Sequence, residues 1–296
     1  MNDRVDSISV VVAVSGGLGF ECLKHIVGQE DVKAILTDRL SSRIIEFAEE
    51  TNIPLFVGNP REGRAATFLS INPAGLLLSI NYVFIFDQGI LECFDAAVNI
   101  HGSLLPKYRG RTPHVWAIIN NESVCGITAH LISLDCDAGN ILIQDEIKIL
   151  EEDTGGSILE KYSSRYPFII DEIFDLVKLG DLSGKPQNES MATYFGKRTS
   201  DDGLIIWAWQ RERIRNWVRA QTRPYPGAFA FLGTEKIIVW QVRFSDYGFR
   251  SDMIDGTILC KRSNSFIVKT PNGCLEIVDF EMPSPLTILK EGMVLK

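Results

Sequence analysis

Five consecutive apolar residues, Val10–Val14, run directly into Ser15-Gly16-Gly17-Leu18-Gly19, and a helix-forming segment, Phe20–Val27, follows without a break. An apolar strand of this kind needs cover on both faces, which helices crossing over a parallel sheet provide. The same unit recurs. Lys33–Thr37 reads as a strand and Ser41–Thr51 as a helix, then Leu76–Ile80 and Ala97–His101 read as further strands. Strands alternating with helices predict an α/β domain built on a parallel sheet with helices on both faces. Ile127–Ser133 and Ile141–Ile149 resume strand character, and Asp153-Thr154 precedes a helix over Ser157–Leu179 that Pro167 is expected to break or kink.

The composition changes at Gly180–Ser190, a linker rich in Gly, Ser and Asn. Beyond Tyr194-Phe-Gly-Lys-Arg198, a helix is expected over Gln210–Gln221, stopped by Pro-Tyr-Pro-Gly within Thr222–Gly227. Five alternating segments follow: Ala228–Leu232, Lys236–Phe244, Thr257–Cys260, Phe266–Thr270 and Cys274–Phe280. Asn272-Gly273 marks a hairpin between the last two. This part predicts a small, mainly antiparallel β domain, an OB-like barrel or a meander, over residues 204–296, after a first domain over residues 1–203.

The chain of 296 residues is long enough for one large core or two smaller ones. Its apolar runs fall far short of the ~20 residues of a membrane span, so no membrane partner is expected. The opening Met-Asn-Asp-Arg-Val-Asp lacks a secretory pattern. Six scattered cysteines without a Cys-x-x-Cys pair, and only four histidines, argue against a zinc site or a disulfide framework. A reducing cytoplasm and no metal are expected. The formal net charge of −8 is uneven: residues 1–205 carry 17 basic and 29 acidic residues, residues 206–296 carry 13 and 9. A nucleic-acid partner leaves a basic footprint; the whole chain argues against one, and the C-terminal part leaves the question open.

Candidate chemistry concentrates at the end of the Ala97–His101 strand. Side chains two apart share a strand face, so Asn99 and His101 point the same way. An amide donates to a developing oxyanion, and an imidazole donates, accepts and titrates near neutrality. Asp135 and Asp137, in Asp-Cys-Asp-Ala-Gly139, are both candidates for a carboxylate that orients His101 or takes a proton. Lys107, Arg109 and Arg111 follow the pair and suit an anionic substrate. Gly17-x-Gly19-x-x-Cys22, with Asp38 nineteen residues beyond Gly19, is a partial dinucleotide fingerprint whose plainer reading is a tight turn. His25 reads as a helix-surface residue and His130 as structural, while His114 is undecided. Arg211, Arg215 and Arg219 form one helix stripe, read as a solvated face, and Trp217 and Val218 read as core.

Taken together, Asn99-Ile-His101, Ser103-Leu-Leu-Pro-Lys-Tyr-Arg-Gly110, Gly126-Ile-Thr-Ala-His130 and Asp137-Ala-Gly139 resemble the formyltransferases that use N10-formyltetrahydrofolate. The likeness covers about the first 200 residues and continues more weakly through Gly256-Thr-Ile and Asn272-Gly-Cys-Leu-Glu. It implies a Rossmann-like catalytic domain in which a substrate amine attacks the formyl carbon. Asn99 and His101 would donate to the oxyanion, and Asp137 would hold His101 and help to remove the ammonium proton. It implies a folate site at Phe86, Asp87, Gln88, Ile90, Gly139 and Asn140, no metal, and a homodimer. Two branches of the family compete. Methionyl-tRNA formyltransferases carry a long basic segment after the second strand, whereas Asp38–Asn52 here is short and acidic, and Arg109-Gly-Arg-Thr-Pro departs from their Arg-Gly-Ala-Ala-Pro. The sugar branch, which acts on UDP-4-amino-4-deoxy-L-arabinose and on related O-antigen, lipopolysaccharide and pseudaminic acid precursors, matches better. It implies a nucleotide-linked 4-amino sugar met by Ser103, Lys107, Arg109, Arg111, Tyr194, Lys197 and Arg198. A Rossmann-type oxidoreductase and a noncatalytic folate-binding module are the lesser alternatives.

Overall fold

The computed structural model describes residues 7–285 and 288–296; the opening Met1–Asp6, read above for a secretory pattern, lie outside them. The chain forms two compact units. The first combines the residues up to Gly110 with Gly126–Ile147 and Lys161–Phe195, and the second combines Arg111–Cys125, Lys148–Glu160 and Gly196–Lys296. In chain order the elements are β1 (Ser9–Val14), α1 (Gly16–Val27), β2 (Asp31–Thr37), α2 (Ser42–Thr51), β3 (Leu55–Val57), α3 (Ala66–Ile71), β4 (Leu76–Ile80), α4 (Gln88–Leu91), β5 (Ala96–His101), β6 (Arg109–Gly110), α5 (Pro113–Ile119), β7 (Val124–Leu131), β8 (Ile141–Lys148), α6 (Gly155–Leu179) and β9 (Tyr194–Phe195). The second unit adds α7 (Arg211–Ala220), β10 (Ala228–Leu232), β11 (Glu235–Ser245), β12 (Ile258–Lys261), β13 (Phe266–Thr270) and β14 (Gly273–Glu281).

The first unit is built on a seven-stranded sheet in the order β3-β2-β1-β4-β5-β7-β8. β1 lies parallel between β2 and β4, so its apolar side chains are buried on both faces, as are all five residues of β4. One layer of the core joins Val11, Ala13, Leu36, Leu69 and Leu77 to Phe86 and Ile90. Each such side chain, fully buried, is worth about 1.5–3 kcal/mol. The junction of β1 with α1 is held from two sides: Ser41 Oγ accepts the Gly16 N–H at 2.9 Å, and Asn81 Nδ2 donates to the Ser15 carbonyl. Asp38 accepts from Leu40 N and Ser41 Oγ at 2.8 and 2.7 Å. Gly16–Gly19 already belong to α1, so the turn expected over Ser15–Gly19 shrinks to the junction at Ser15, and Asp38 braces the two residues just ahead of α2.

Three features depart from expectation. The sheet is mixed, because β5 pairs in parallel with β4 but antiparallel with β7. A parallel neighbour would need a crossover over the sheet, and residues 111–125 instead cluster in the second unit. Next, α6 is continuous through Pro167. Tyr162, Tyr166, Ile169, Ile170, Ile173 and Phe174 are buried on both sides of the proline, and this apolar face outweighs the local cost of about 3 kcal/mol. The short β3, α3, α4 and α5 also went unread, being three to seven residues each.

In the second unit, five antiparallel strands lie in the order β10-β11-β14-β13-β12. Thr270 pairs with Gly273, so the β13–β14 loop is Pro271-Asn272, one residue earlier than the Asn-Gly signal implied. The arginine stripe of α7 is not simply solvated. Arg219 donates to the carbonyls of Leu150 and Asp153 and to Asn216, and Arg215 donates to the carbonyl of Glu151. Trp217 and Val218 are buried as read. His114 meets the Tyr225 hydroxyl at 2.6 Å, and burial lowers its pKa to about 4. Among the described residues no helix is long and apolar enough to cross a membrane.

Candidate active site

β5 delivers Asn99 and His101 to the same side of the sheet, opposite His130 and Thr128 of β7. His130 is buried, and its Nδ1 sits 2.8 Å from the carbonyl of Leu131. That contact requires an N–H at Nδ1, which leaves Nε2 of the neutral ring as an acceptor. Asn99 Nδ2 lies 3.1 Å from this Nε2 and must be the donor. The pair fixes which way the Asn99 amide faces. Among the described residues its second Nδ2 hydrogen has no protein partner. Burial lowers the pKa of His130 to about 4, the attraction of Asp137 opposing it only in part, so His130 is neutral near pH 7.

His101 is held by Tyr108: its Nε2–H donates to the Tyr108 carbonyl at 2.8 Å. Its Nδ1 then faces Asp137 Oδ2 at 3.6 Å, beyond a direct hydrogen bond. The orienting bond expected from Asp137 thus comes from the backbone of the Pro106–Gly110 loop. The same loop also secures the carboxylate, because Gly110 N–H donates to Asp137 Oδ2 at 2.8 Å. Asp137 Oδ1 lies 3.7 Å from His130 Nε2, and the Cys136 thiol donates to Oδ2. Burial pushes the Asp137 carboxyl up, but the electrostatic attraction of His101, the Gly110 N–H, His130 and Cys136 together hold it below the usual carboxylate range. Between the two acidic candidates the geometry selects Asp137; Asp135 is exposed.

Asp137 reaches His101 by an unusual path. β7 runs antiparallel to β5, so it ends with Leu131 level with Val98, away from His101. The chain then doubles back. Asp137 adopts φ +55°, and a Cβ at Gly139 would run into the Leu131 carbonyl. Gly139 is therefore demanded by this close return against β7 rather than by a ligand. Asn140 Nδ2 donates to the Ser183 carbonyl.

Family models match the chain as formyl transferase over residues 69–167 and as formyl transferase, C-terminal domain, over residues 197–287. The chain belongs to the formyltransferase family. The N-terminal match contains Asn99, His101 and Asp137. Solved structures share the fold. A HypX variant from Aquifex aeolicus superposes with a TM-score of 0.64 at 14% identity over 94% of this chain, which spans 45% of that protein. The N-formyltransferase from Helicobacter canadensis, solved with folinic acid and dTDP-3-aminofucose, gives 0.72 at 18% identity over 93% of this chain and 100% of that one. The methionyl-tRNA formyltransferase from Clostridium thermocellum gives 0.60 at 16% identity over 94% of this chain and 100% of that one.

Within this formyltransferase, the residues expected at the substrate divide. Arg109 is fully buried, and all five of its N–H groups are engaged, by Gln187, Glu189 and Tyr194. It has no donor left for a substrate anion and acts instead as an internal tie. Tyr194 is the exposed end of that tie. Ser103 Oγ donates to the Lys107 carbonyl and holds the loop, while the Lys107 side chain is exposed. Arg111, Lys197 and Arg198 belong to the second unit. There Arg198 packs 4.3 Å above the Trp217 ring and donates to Gln221 and to the Asp202 carbonyl, while Arg111 and Lys197 are exposed.

The expected folate residues divide as well. Phe86 and Ile90 turn into the core, Phe86 stacked on Tyr82 at 5.4 Å. Asp87 caps α4 and accepts from Glu62 N, and exposed Gln88 donates to Glu92. This segment therefore offers mainly backbone. Sequence reading missed Tyr108, Thr128, Gln144 and Gln187. Gln144 and the Leu105 N–H both donate to Thr128 Oγ1, which donates to the Ser103 carbonyl and pins the loop to β7. His130 was read as structural; it is structural and also sets Asn99. The spacing Thr128-x-His130, facing His101-x-Asn99, was the available signal.

Proposed function

We propose that this formyltransferase moves a formyl group from N10-formyltetrahydrofolate to the amine of a nucleotide-linked amino sugar. The observation that carries the reading is the meeting of Asn99, His101 and Asp137, each held by a separate hydrogen bond. The amine nitrogen attacks the formyl carbon, a C–N bond forms, and the carbonyl electron pair moves to oxygen. The unpartnered Nδ2 hydrogen of Asn99 supports the oxyanion. His101 Nδ1, turned toward Asp137, accepts the ammonium proton; once protonated, the same atom donates to the oxyanion. Collapse re-forms the C=O bond and breaks the bond to N10, which leaves with a proton as tetrahydrofolate. The pterin is proposed to lie against backbone of residues 86–90 and 139–140. Residues 1–203 carry this chemistry and residues 204–296 form the accessory domain.

Two features favour the sugar over tRNA. Residues 38–52 form only a turn and the short α2, with Glu46, Glu49 and Glu50 on it, a poor surface for a polyanion. The loop reads Arg109-Gly-Arg-Thr-Pro, and Lys107 offers an exposed cation to a pyrophosphate. The Helicobacter canadensis relative was solved with a 3-amino sugar nucleotide, so the test spans 3- and 4-amino sugars. Such a product would enter cell-surface glycan synthesis in the cytoplasm, and the enzyme would act as a homodimer. Tetrahydrofolate release is measured against UDP-, dTDP- and GDP-linked amino sugars and charged initiator methionyl-tRNA. Turnover with at least one sugar is expected; formylation of the tRNA alone overturns the sugar reading.

A further inference from the structure

The linker Gly180–Ser190 has no part in the chemistry above, yet one of its residues meets the catalytic loop. Gln187 Nε2 donates at 2.8 Å to the carbonyls of both Asp137 and Gly139. Its Oε1 accepts from Arg109 Nε and NH2 at 3.3 and 2.7 Å. Both donors and both lone pairs of the amide are thereby engaged, and its orientation is fixed, because only an N–H can face two carbonyls. On its other side Arg109 is clasped by the Glu189 carboxylate at 2.9 and 2.6 Å. The neighbours of Arg109 in sequence hold the catalytic pair: the Tyr108 carbonyl takes His101 Nε2–H, and the Gly110 N–H meets Asp137 Oδ2. The strap carrying Gln187 is itself fastened to this loop. Thr193 Oγ1 and carbonyl accept from Tyr108 N and Arg109 N at 2.8 Å, and Phe195 stacks on Tyr108 at 4.8 Å.

We propose that Gln187 is a positioning residue for formyl transfer, tying the backbone at Asp137 to Arg109 so that one loop sets both the imidazole and the carboxylate. The inference rests on the reading of Asp137 as part of the reacting site. Without the tie, the linker's other bonds to this segment lie beyond it, at Asn140 and Ile141, and the left-handed Asp137 (φ +55°) is released to relax. Asp, Asn and Gly tolerate that region better than other residues, but it still costs free energy. A carboxylate displaced by an ångström or less is enough to lower a rate substantially.

The test is Gln187→Leu, similar in size and without hydrogen-bonding atoms, beside Gln187→Asn, which keeps the amide on a shorter arm. Two readouts are taken on the full chain. The first is the formyl-transfer rate with the sugar nucleotide found above. The second, independent of turnover, is the 13C-carboxyl titration of Asp137, assigned with Asp137→Asn; His101, His130 and Cys136 are the titratable groups that face it. Gln187→Leu is expected to lower kcat about tenfold or more, leave the KM for the folate within twofold, and move the Asp137 titration upward, with Gln187→Asn between it and wild type. Unchanged kcat together with an unchanged titration overturns the proposal while leaving the function intact. A wild-type protein with no formyl transfer, but with the titration moved in Gln187→Leu, overturns the functional reading and leaves the tie standing.

Discussion

Replacing Asn99 with alanine separates catalysis from stability in a way the geometry makes calculable. The Asn99 amide carries two hydrogens on Nδ2, one directed at His130 Nε2 at 3.1 Å and one without a protein partner among the described residues. Loss of the second removes one donor to the developing oxyanion, worth about 2.7–4 kcal/mol, or 10²–10³ in kcat. Loss of the first strands the Nε2 of a buried, neutral His130, which costs about 1–3 kcal/mol of stability. A protein of this size then melts a few degrees lower, at about 2–4 °C per kcal/mol. The two effects are distinguished by pairing Asn99→Ala with Asn99→Ala/His130→Leu. The second change removes the stranded acceptor, so it restores part of the melting temperature without restoring the rate. The assays are tetrahydrofolate release under saturating folate and thermal unfolding at pH 7. A kcat within threefold of wild type for Asn99→Ala refutes the oxyanion role.

Three further variants test the same geometry. Asp137→Asn keeps an acceptor for Gly110 N–H but removes the charge facing His101, so kcat is expected to fall 10²–10⁴-fold with folinic acid affinity, measured by fluorescence titration, retained; near-wild-type turnover contradicts this. Because the folded-state pKa of Asp137 is depressed, its contribution to stability is present above the unfolded value and is lost as pH falls through the folded one. Asp137→Asn should therefore flatten the acid end of the stability profile. For His130 the direction is the same but the cause differs, burial disfavouring the charged ring: the unfolded ring binds a proton near pH 6.5 and the buried one only near 4. The unfolded state binds more protons between those values, so stability is full above about 6.5 and declines toward 4, by on the order of 3 kcal/mol; His130→Gln, followed by denaturant unfolding against pH, should lose that slope. Finally, Gly139→Ala drives a methyl into the Leu131 carbonyl and should cost several kcal/mol; a variant that melts with wild type is the refuting result.

The fold was legible where the pattern was long. β1, β2, β4 and β5 announced themselves by apolar runs, and the C-terminal strands by alternation, because burial on one or two faces writes a period into the sequence. What it did not write was direction. Nothing in Gly126–Leu131 distinguishes an antiparallel neighbour of β5 from a parallel one, and the outcome turned on where residues 111–125 pack. Asn99 and His101 were legible because a strand fixes which residues share a face. Asp137 needed the family resemblance, since a loop carries no such rule. Arg109 was misread for an instructive reason. A cation beside a candidate site looks like a ligand contact until its partners are known, and Gln187 and Glu189 lie about 80 residues away. Their polar, linker-like surroundings gave no hint that they close around a buried guanidinium.

The antiparallel course of β7 has a further consequence for how such a site changes over time. Two members of the reacting group stand on a strand whose register is locked by the sheet, while the third arrives on a returning loop anchored mainly at its far end, by Gly139 and Gln187. Residues 133–136, ahead of that anchor, are half-buried or exposed. Changes at residues 133–135 leave the Cys136 contact with Asp137 in place, so a library confined to those three positions is the natural place to search for altered acceptors.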